Sequence, residues 1–226
     1  MRKSPAIAAF LLTICLSASA QQAETNVAPT INQNFKSADL NVEDWATRFT
    51  GESREVFHAR NDVVKALALK PGDKIADIGA GTGLYTRLFA QAVGPTGTVY
   101  ATDIAPKFLA YIKDNAARDG LKNVQTVLGG DRSTNLKDAS IDVAFSSDVY
   151  HHFEYPMTMN ASIRRALKPN GRLYVPEMEK TGSQTAHVRA PKEAVIAEIE
   201  KSGFKLVEDV KVPGLHENYL LHFRKD

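Results

Sequence analysis

The chain has 226 residues, with 28 Lys and Arg against 26 Asp and Glu, 43% apolar residues and one cysteine. That size and apolar fraction fit one folded domain with or without a tail, and they exclude a disordered or collagen-like chain. A net charge of +2 is too small to be a nucleic-acid footprint. One cysteine excludes an intramolecular disulfide framework and a multi-cysteine zinc site.

Those totals average over two unlike pieces. Arg2 and Lys3 precede an apolar run, Ala6 to Leu16, and Ala18-Ser19-Ala20 leads into polar Gln21. A basic start, a short apolar stretch and a small-x-small end predict a secretory signal peptide over residues 1–20. The product is then exported, periplasmic or secreted. The run is well short of the ~20 residues needed to span a bilayer. Thr13-Ile14 before Cys15 lacks the small residues of lipoprotein processing. Cleavage removes Arg2, Lys3 and Cys15, which leaves equal numbers of basic and acidic residues and no thiol. A thiol-free chain suits an oxidising compartment. No second long apolar run follows, so no stable membrane insertion is expected.

Residues 21–41 are polar and without periodicity, and read as a flexible leader. Val42 to Phe49 and Arg54 to Leu69 read as helices, with Val56, Val63, Val64 and Leu67 at helical spacing and Lys70-Pro71-Gly72 as the stop. They form a predicted helical cap over 42–70, at the head of a single domain over 42–226.

From Lys74 the pattern alternates. Strands are expected at Lys74–Ile78, Thr98–Thr102, Val124–Leu128, Ile141–Ser146 and Arg172–Val175. Helices are expected at Gly83–Val93, Pro106–Arg118, Pro156–Leu167 and Pro191–Ser202. Leu206–Val212 and Tyr219–Phe223 follow with no helix between them, which predicts an antiparallel hairpin at one edge. Strand-helix alternation with short apolar strands means an α/β fold, a mostly parallel sheet with helices on both faces. Ligands of such sheets sit at the carboxyl ends of the strands.

The strongest motif is Asp77-Ile78-Gly79-Ala80-Gly81-Thr82-Gly83, running from the first strand into the first helix. Glycines there allow a tight turn and close approach of a ligand to the backbone. A dinucleotide fingerprint wants G-x-G-x-x-G. Here the third glycine is Gly83, and Leu84 stands where that pattern needs glycine. Asp103 ends the second strand and is placed to accept hydrogen bonds from two ribose hydroxyls. Capping of the helix at Pro106 is a second role open to it. Gly129-Gly130-Asp131 follows the third strand, and Ser147-Asp148-Val149-Tyr150-His151-His152 follows the fourth.

Asp77-x-Gly79-x-Gly81-x-Gly83, with these later segments in order, resembles motif I and its sequel in the class I S-adenosylmethionine-dependent methyltransferases. The similarity is to the small-molecule, quinone-biosynthesis-like branch and to predicted exported methyltransferases. It spans Val56 to Phe223. The resemblance implies a Rossmann-like seven-stranded sheet of order 3-2-1-4-5-7-6 with strand 7 antiparallel. It implies S-adenosyl-L-methionine as cofactor, bound by Asp77, Gly79, Gly81, Gly83, Asp103, Ile104, Asp131 and Asp148. It also implies a small-molecule methyl acceptor.

Methyl transfer is an in-line displacement, so the protein chiefly positions reactants and excludes water. A base is needed only where the acceptor carries a proton that must leave. His151 is the first candidate, with Tyr150 and His152 behind it. Glu177 is placed to orient the acceptor or pair with a histidine. His151, His152, Glu154, Glu177 and His187 offer metal-ligand chemistry, but their spacing matches no metal motif, and no metal is expected. Trp45, Phe49, Phe57, His58 and Arg60 are candidates to line a lid, and Arg189 to contact the acceptor. Two other readings stand beside this one. An NAD(P)-linked oxidoreductase is opposed by Leu84, and a non-catalytic nucleoside-binding or sensor protein would keep the same fold. A nucleic-acid substrate is opposed by the balanced charge.

Overall fold

The computed structural model describes residues 24–51, 54–181 and 186–226. The predicted signal peptide lies outside them. Short helices open the described chain: α1 Gln33–Lys36, α2 Val42–Phe49, α3 Glu55–His58 and α4 Arg60–Ala66. The alternating part is β1 Lys74–Ile78, α5 Leu84–Val93, β2 Thr98–Asp103, α6 Pro106–Arg118, β3 Val124–Leu128, β4 Ile141–Phe145, α7 Pro156–Ala166 and β5 Leu167–Met178. It closes with α8 Lys192–Lys201, β6 Phe204–Val210 and β7 Asn218–Lys225.

The seven strands form one sheet of order β3-β2-β1-β4-β5-β7-β6. The first five are parallel, and β7 runs antiparallel to both β5 and β6. This is the expected Rossmann-like methyltransferase fold, terminal hairpin included. Alternation along the strands feeds two cores. Ile75, Val99, Val143 and Phe145 join Val63, Phe89 and Val93 of α4 and α5 on one face. Ala76, Ile78 and Ala144 join Met159, Ile163 and Ile199 of α7 and α8 on the other. Phe89 and Phe145 meet edge-on at 4.9 Å and are fully buried. Burial of each such ring contributes roughly 1.5–3 kcal/mol.

Three local differences have physical causes. The single helix expected over Arg54–Leu69 is broken at Ala59 into α3 and α4. Tyr85 Oη donates to the Val56 carbonyl (2.7 Å) and Arg60 Nη1 to the Phe57 carbonyl (2.6 Å). Side-chain donors thus take carbonyls that a continuous helix gives to amides one turn on. β5 starts at Leu167, ahead of the strand expected at Arg172–Val175, and takes the turn Pro169-Asn170-Gly171 inside it. Asn170 is left-handed (φ 61°), and the register with β4 shifts between Ile141 and Val143. The chain bulges there and resumes pairing at Arg172.

The third difference is larger. The stretch read as a flexible leader is packed from Glu24 onward. Glu24 accepts the amides of Met157 and Thr158 at 2.8 Å each, at the start of α7. Leu40 is buried against Phe108 and Ala105. Polar side chains make most of these contacts, so no apolar period marks them in the sequence.

Candidate active site

Local backbone geometry builds one end of the site. β1 runs out at Ile78, and Gly79, Gly81 and Gly83 all take positive φ, 69°, 53° and 84°. Two of these positions are also closed to a side chain. A Cβ on Gly79 would lie 2.5 Å from Val149 Cγ1, and one on Gly83 2.8 Å from Ile112 Cγ1. The turn is tied to β2. The Gly79 amide donates to the Thr102 carbonyl at 2.8 Å, and the Gly81 amide to Asp103 Oδ2 at 2.9 Å. Asp103 Oδ1 accepts the Ala105 amide at 2.8 Å, ahead of α6. Asp103 is therefore both clamp and cap.

A cavity of about 230 Å³ opens over the carboxyl ends of β1, β2 and β4. Of the residues named from the sequence as cofactor-binding or as candidate base, Gly79, Gly81, Asp103, Ile104, Asp131, Asp148, His151 and His152 line it. Three do not. Asp77 lies beneath the turn and accepts from Thr86 Oγ1 at 2.6 Å. Gly83 borders a separate hollow beside α5, together with Phe57 and Arg60. Tyr150 points under the sheet, where its hydroxyl donates to Glu198 (3.2 Å) and accepts from Asn160 (2.9 Å). The 3-10 turn Tyr150–His152 separates it from its neighbours, which face the cavity.

Burial dominates the electrostatics. It pushes the Asp77 carboxyl up to about 7 and the Asp103 carboxyl up to about 6. Asp148 is likewise pushed up to about 6 by burial, against the pull of the Arg54 guanidinium. Arg54 Nη2 sits 2.9 Å from Asp148 Oδ2, and Asn218 Nδ2 donates to Oδ1 at 2.7 Å. A guanidinium therefore stands beside Asp148, one of the residues the resemblance assigns to the cofactor.

The other end is assembled from distant segments. Buried Glu177 accepts the His151 amide at 3.2 Å and the Met178 amide at 2.8 Å. His151 Nδ1 donates to the same carboxylate at 2.8 Å. His151 Nε2 lies 3.0 Å from His187 Nε2. Asn32 Nδ2 donates to the His152 carbonyl and to Glu154 Oε1, which turns Asn32 Oδ1 toward His152 Nδ1 at 3.2 Å. Burial, with His151 and His187 alongside, pushes His152 down to about 3; burial beside His151 also lowers His187. Burial thus favours the neutral form of both rings. Phe35, Trp45 and Phe49 close the cavity from the N-terminal side, with Phe35 and Trp45 centroids 4.8 Å apart. Trp45 and Phe49 were legible as lid residues. Asn32, Phe35, Arg54 and Asn218 were not, since nothing local in the sequence ties any of them to its distant partner.

The chain's residues fit an adenosine-bearing ligand. A side-chain-free turn borders the cavity, and each Asp103 oxygen keeps a lone pair after its one backbone bond. The known proteins agree with this geometry. Residues 76–175 match the family described as the methyltransferase domain. That match and the fold together imply S-adenosyl-L-methionine as cofactor.

The arsenite methyltransferase of Halobacterium salinarum is 27% identical over 144 residues, 64% of this chain and 36% of that protein. The ubiquinone/menaquinone biosynthesis C-methyltransferase of Ectopseudomonas mendocina is 34% identical over 121 residues, 53% of this chain and 47% of that one. The chain thus spans half or less of the length of these relatives. A SAM-dependent methyltransferase from Aquifex aeolicus shares the fold at a TM-score of 0.70 and 22% identity, over 81% of this chain and 96% of that one. The [4+2]-cyclase SpnF shares it at 0.64 and 19% identity, over 74% and 80%. The fold alone therefore does not set the chemistry. No helix among the described residues is long and apolar enough to cross a membrane.

Proposed function

We propose that this chain is an exported S-adenosylmethionine-dependent methyltransferase acting on a small molecule. The observation that carries the reading is one cavity joining the glycine turn and Asp103 at one end to the His151–Glu177 pair at the other. The cofactor supplies an electrophilic methyl group. Asp103 accepts the ribose hydroxyls, Ile104 packs beside the adenine and Asp131 meets its amino group. Asp148, held by Arg54, gives the methionine end a polar wall, and Gly83 keeps the turn that starts α5. Asp77 fixes the base of that turn through Thr86.

Glu177 accepts the Nδ1 proton of His151, so the neutral ring keeps its lone pair on Nε2. That nitrogen takes the acceptor's proton. His152 and the aromatic cap exclude water from the transfer. The curated relatives are named for small acceptors, arsenite and a quinone-pathway compound, which supports the acceptor class. Leu84 opposes the oxidoreductase reading, and turnover separates an enzyme from a sensor.

Calorimetry with S-adenosylmethionine and S-adenosylhomocysteine tests the cofactor. Absence of heat with either sinks the proposal. His151→Ala is expected to cut turnover by roughly 10²–10⁴ with nearly unchanged cofactor affinity. Equal loss of both would make His151 a structural residue. Mass spectrometry of the native protein tests export through the mature N-terminus, expected at Gln21.

A further inference from the structure

We propose that His151, His152 and His187 form a binding site for a divalent transition-metal ion of the zinc type, on the acceptor wall of the cavity. One ring nitrogen from each residue lies within 4.8 Å of the other two. The ring centroids make a compact triangle with sides of 4.3, 4.6 and 5.5 Å. The residues come from two segments 35 positions apart, so sequence spacing hides the cluster.

The surroundings of the rings are those of a ligand set. Metal-binding histidines give their second ring N–H to a carboxylate or carbonyl oxygen, which fixes tautomer and orientation. His151 Nδ1 donates to buried Glu177, and His152 Nδ1 faces the oriented oxygen of Asn32. These two rings then present an unprotonated Nε2. The contact between His151 Nε2 and His187 Nε2, at 3.0 Å, makes the second point. In the metal-free protein the His187 Nε2–H can bridge the pair, and a bound cation takes the place of that hydrogen. Three imidazoles at Zn–N bonds of about 2.05 Å are spaced roughly 3.3 Å apart in a tetrahedral site. The His151–His187 pair is already close to that spacing, and the His152 nitrogen lies within 4.8 Å of both. Imidazole suits zinc, and three protein ligands leave a fourth position open.

All three histidines line the cavity, so that open position borders it. An acceptor with an acidic O–H or S–H group would ligate there as its anion, its proton passing to solvent as the metal–ligand bond forms. In the ion-loaded state the metal takes over the task of Nε2 of His151. This role rests on the proposed acceptor end of the cavity, whereas metal binding itself does not depend on the cofactor.

Untagged protein is stripped with a chelator and titrated with Zn²⁺ against a chromophoric competitor. One equivalent is expected to bind, with a Kd below about 1 μM. His151→Ala, His152→Ala and His187→Ala should each weaken it at least about 100-fold, and Glu177→Gln about 10–100-fold. His187 is exposed, so its removal leaves the core intact and keeps the test valid should a buried variant misfold. His222→Ala, on the far hairpin, should leave uptake unchanged. Failure of stoichiometric uptake, or full uptake by His187→Ala, would overturn the site. S-adenosylhomocysteine calorimetry on the same samples separates the two proposals, because zinc uptake without nucleoside binding defeats only the cofactor reading.

Discussion

The two ends of the cavity are made by different means. The cofactor end is local. Gly79, Gly81 and Asp103 come from two adjacent strand ends, and backbone amides hold them together. The acceptor end draws on segments far apart in the chain. Arg54 reaches Asp148 across 94 positions, Asn32 reaches Glu154 across 122, and His187 reaches His151 across 36. These long-range contacts run from side chain to side chain. Backbone-built sites tolerate few substitutions at their turns. Side-chain-built sites are free to change without disturbing the sheet, which is where one fold acquires different acceptors.

The comparison is broken most sharply at Gly79. An alanine there must adopt φ near 69° and place its Cβ 2.5 Å from Val149. Left-handed strain and overpacking each cost about 1–3 kcal/mol. Gly79→Ala should lose about 3 kcal/mol in urea denaturation, with cofactor binding reduced besides. A neutral result would show that the turn is not rigid. Asp103→Ala comes next. It removes acceptors for two amides and for the ribose, and should weaken S-adenosylhomocysteine by roughly 1–3 kcal/mol in calorimetry. Unchanged affinity would take the ribose contact away from Asp103.

What was legible follows the same division. Period, caps and Gly-rich turns are local signals, and they predicted the strands, the hairpin and the glycine turn, whereas the strand order came with the family resemblance. Pro106 at the head of α6 marked the helix start correctly. Asn32 and Arg54 carried no such signal, since an isolated polar residue reads as surface until its partner is known. The packed leader was missed for that reason. Asp77 was legible as an acid in the motif, but not its direction, which depends on Thr86 one helical turn into α5.

Asp77 sharpens the contrast by pH. Its folded value is raised to about 7 from 3.8, mainly by burial. A carboxyl raised on folding binds protons more tightly in the native state, so stability falls as pH rises through that window. The cost is absent below about pH 4 and complete above about pH 7. Asp77→Asn keeps an acceptor for Thr86 and removes the charge. It should gain about 1–2 kcal/mol at pH 8 and nothing at pH 4, once its unpaired amide hydrogens are counted. Thermal melts across pH measure this, at about 2–4 °C per kcal/mol for a chain of this size. A pH-independent difference would mean the carboxyl is already neutral or freely hydrated.

Lys36 gives the smallest effect and tests whether the two ends are coupled. Its Nζ lies 2.6 Å from Asp131 Oδ1, beside β3, and 2.9 Å from Glu154 Oε1, beside the histidines. It is the ionic link between the ends at the mouth of the cavity. The Lys36 and Asp131 side chains are 40% and 37% exposed, so water and salt screen their pair. Lys36→Met should therefore cost only about 0.5 kcal/mol at low salt, and nothing measurable at high salt. It also frees Asp131, so adenosine affinity should stay constant or rise slightly. A loss of several kcal/mol would show that the N-terminal segment is integral to the cofactor end, and the division between a backbone-built half and a side-chain-built half would fail at its seam.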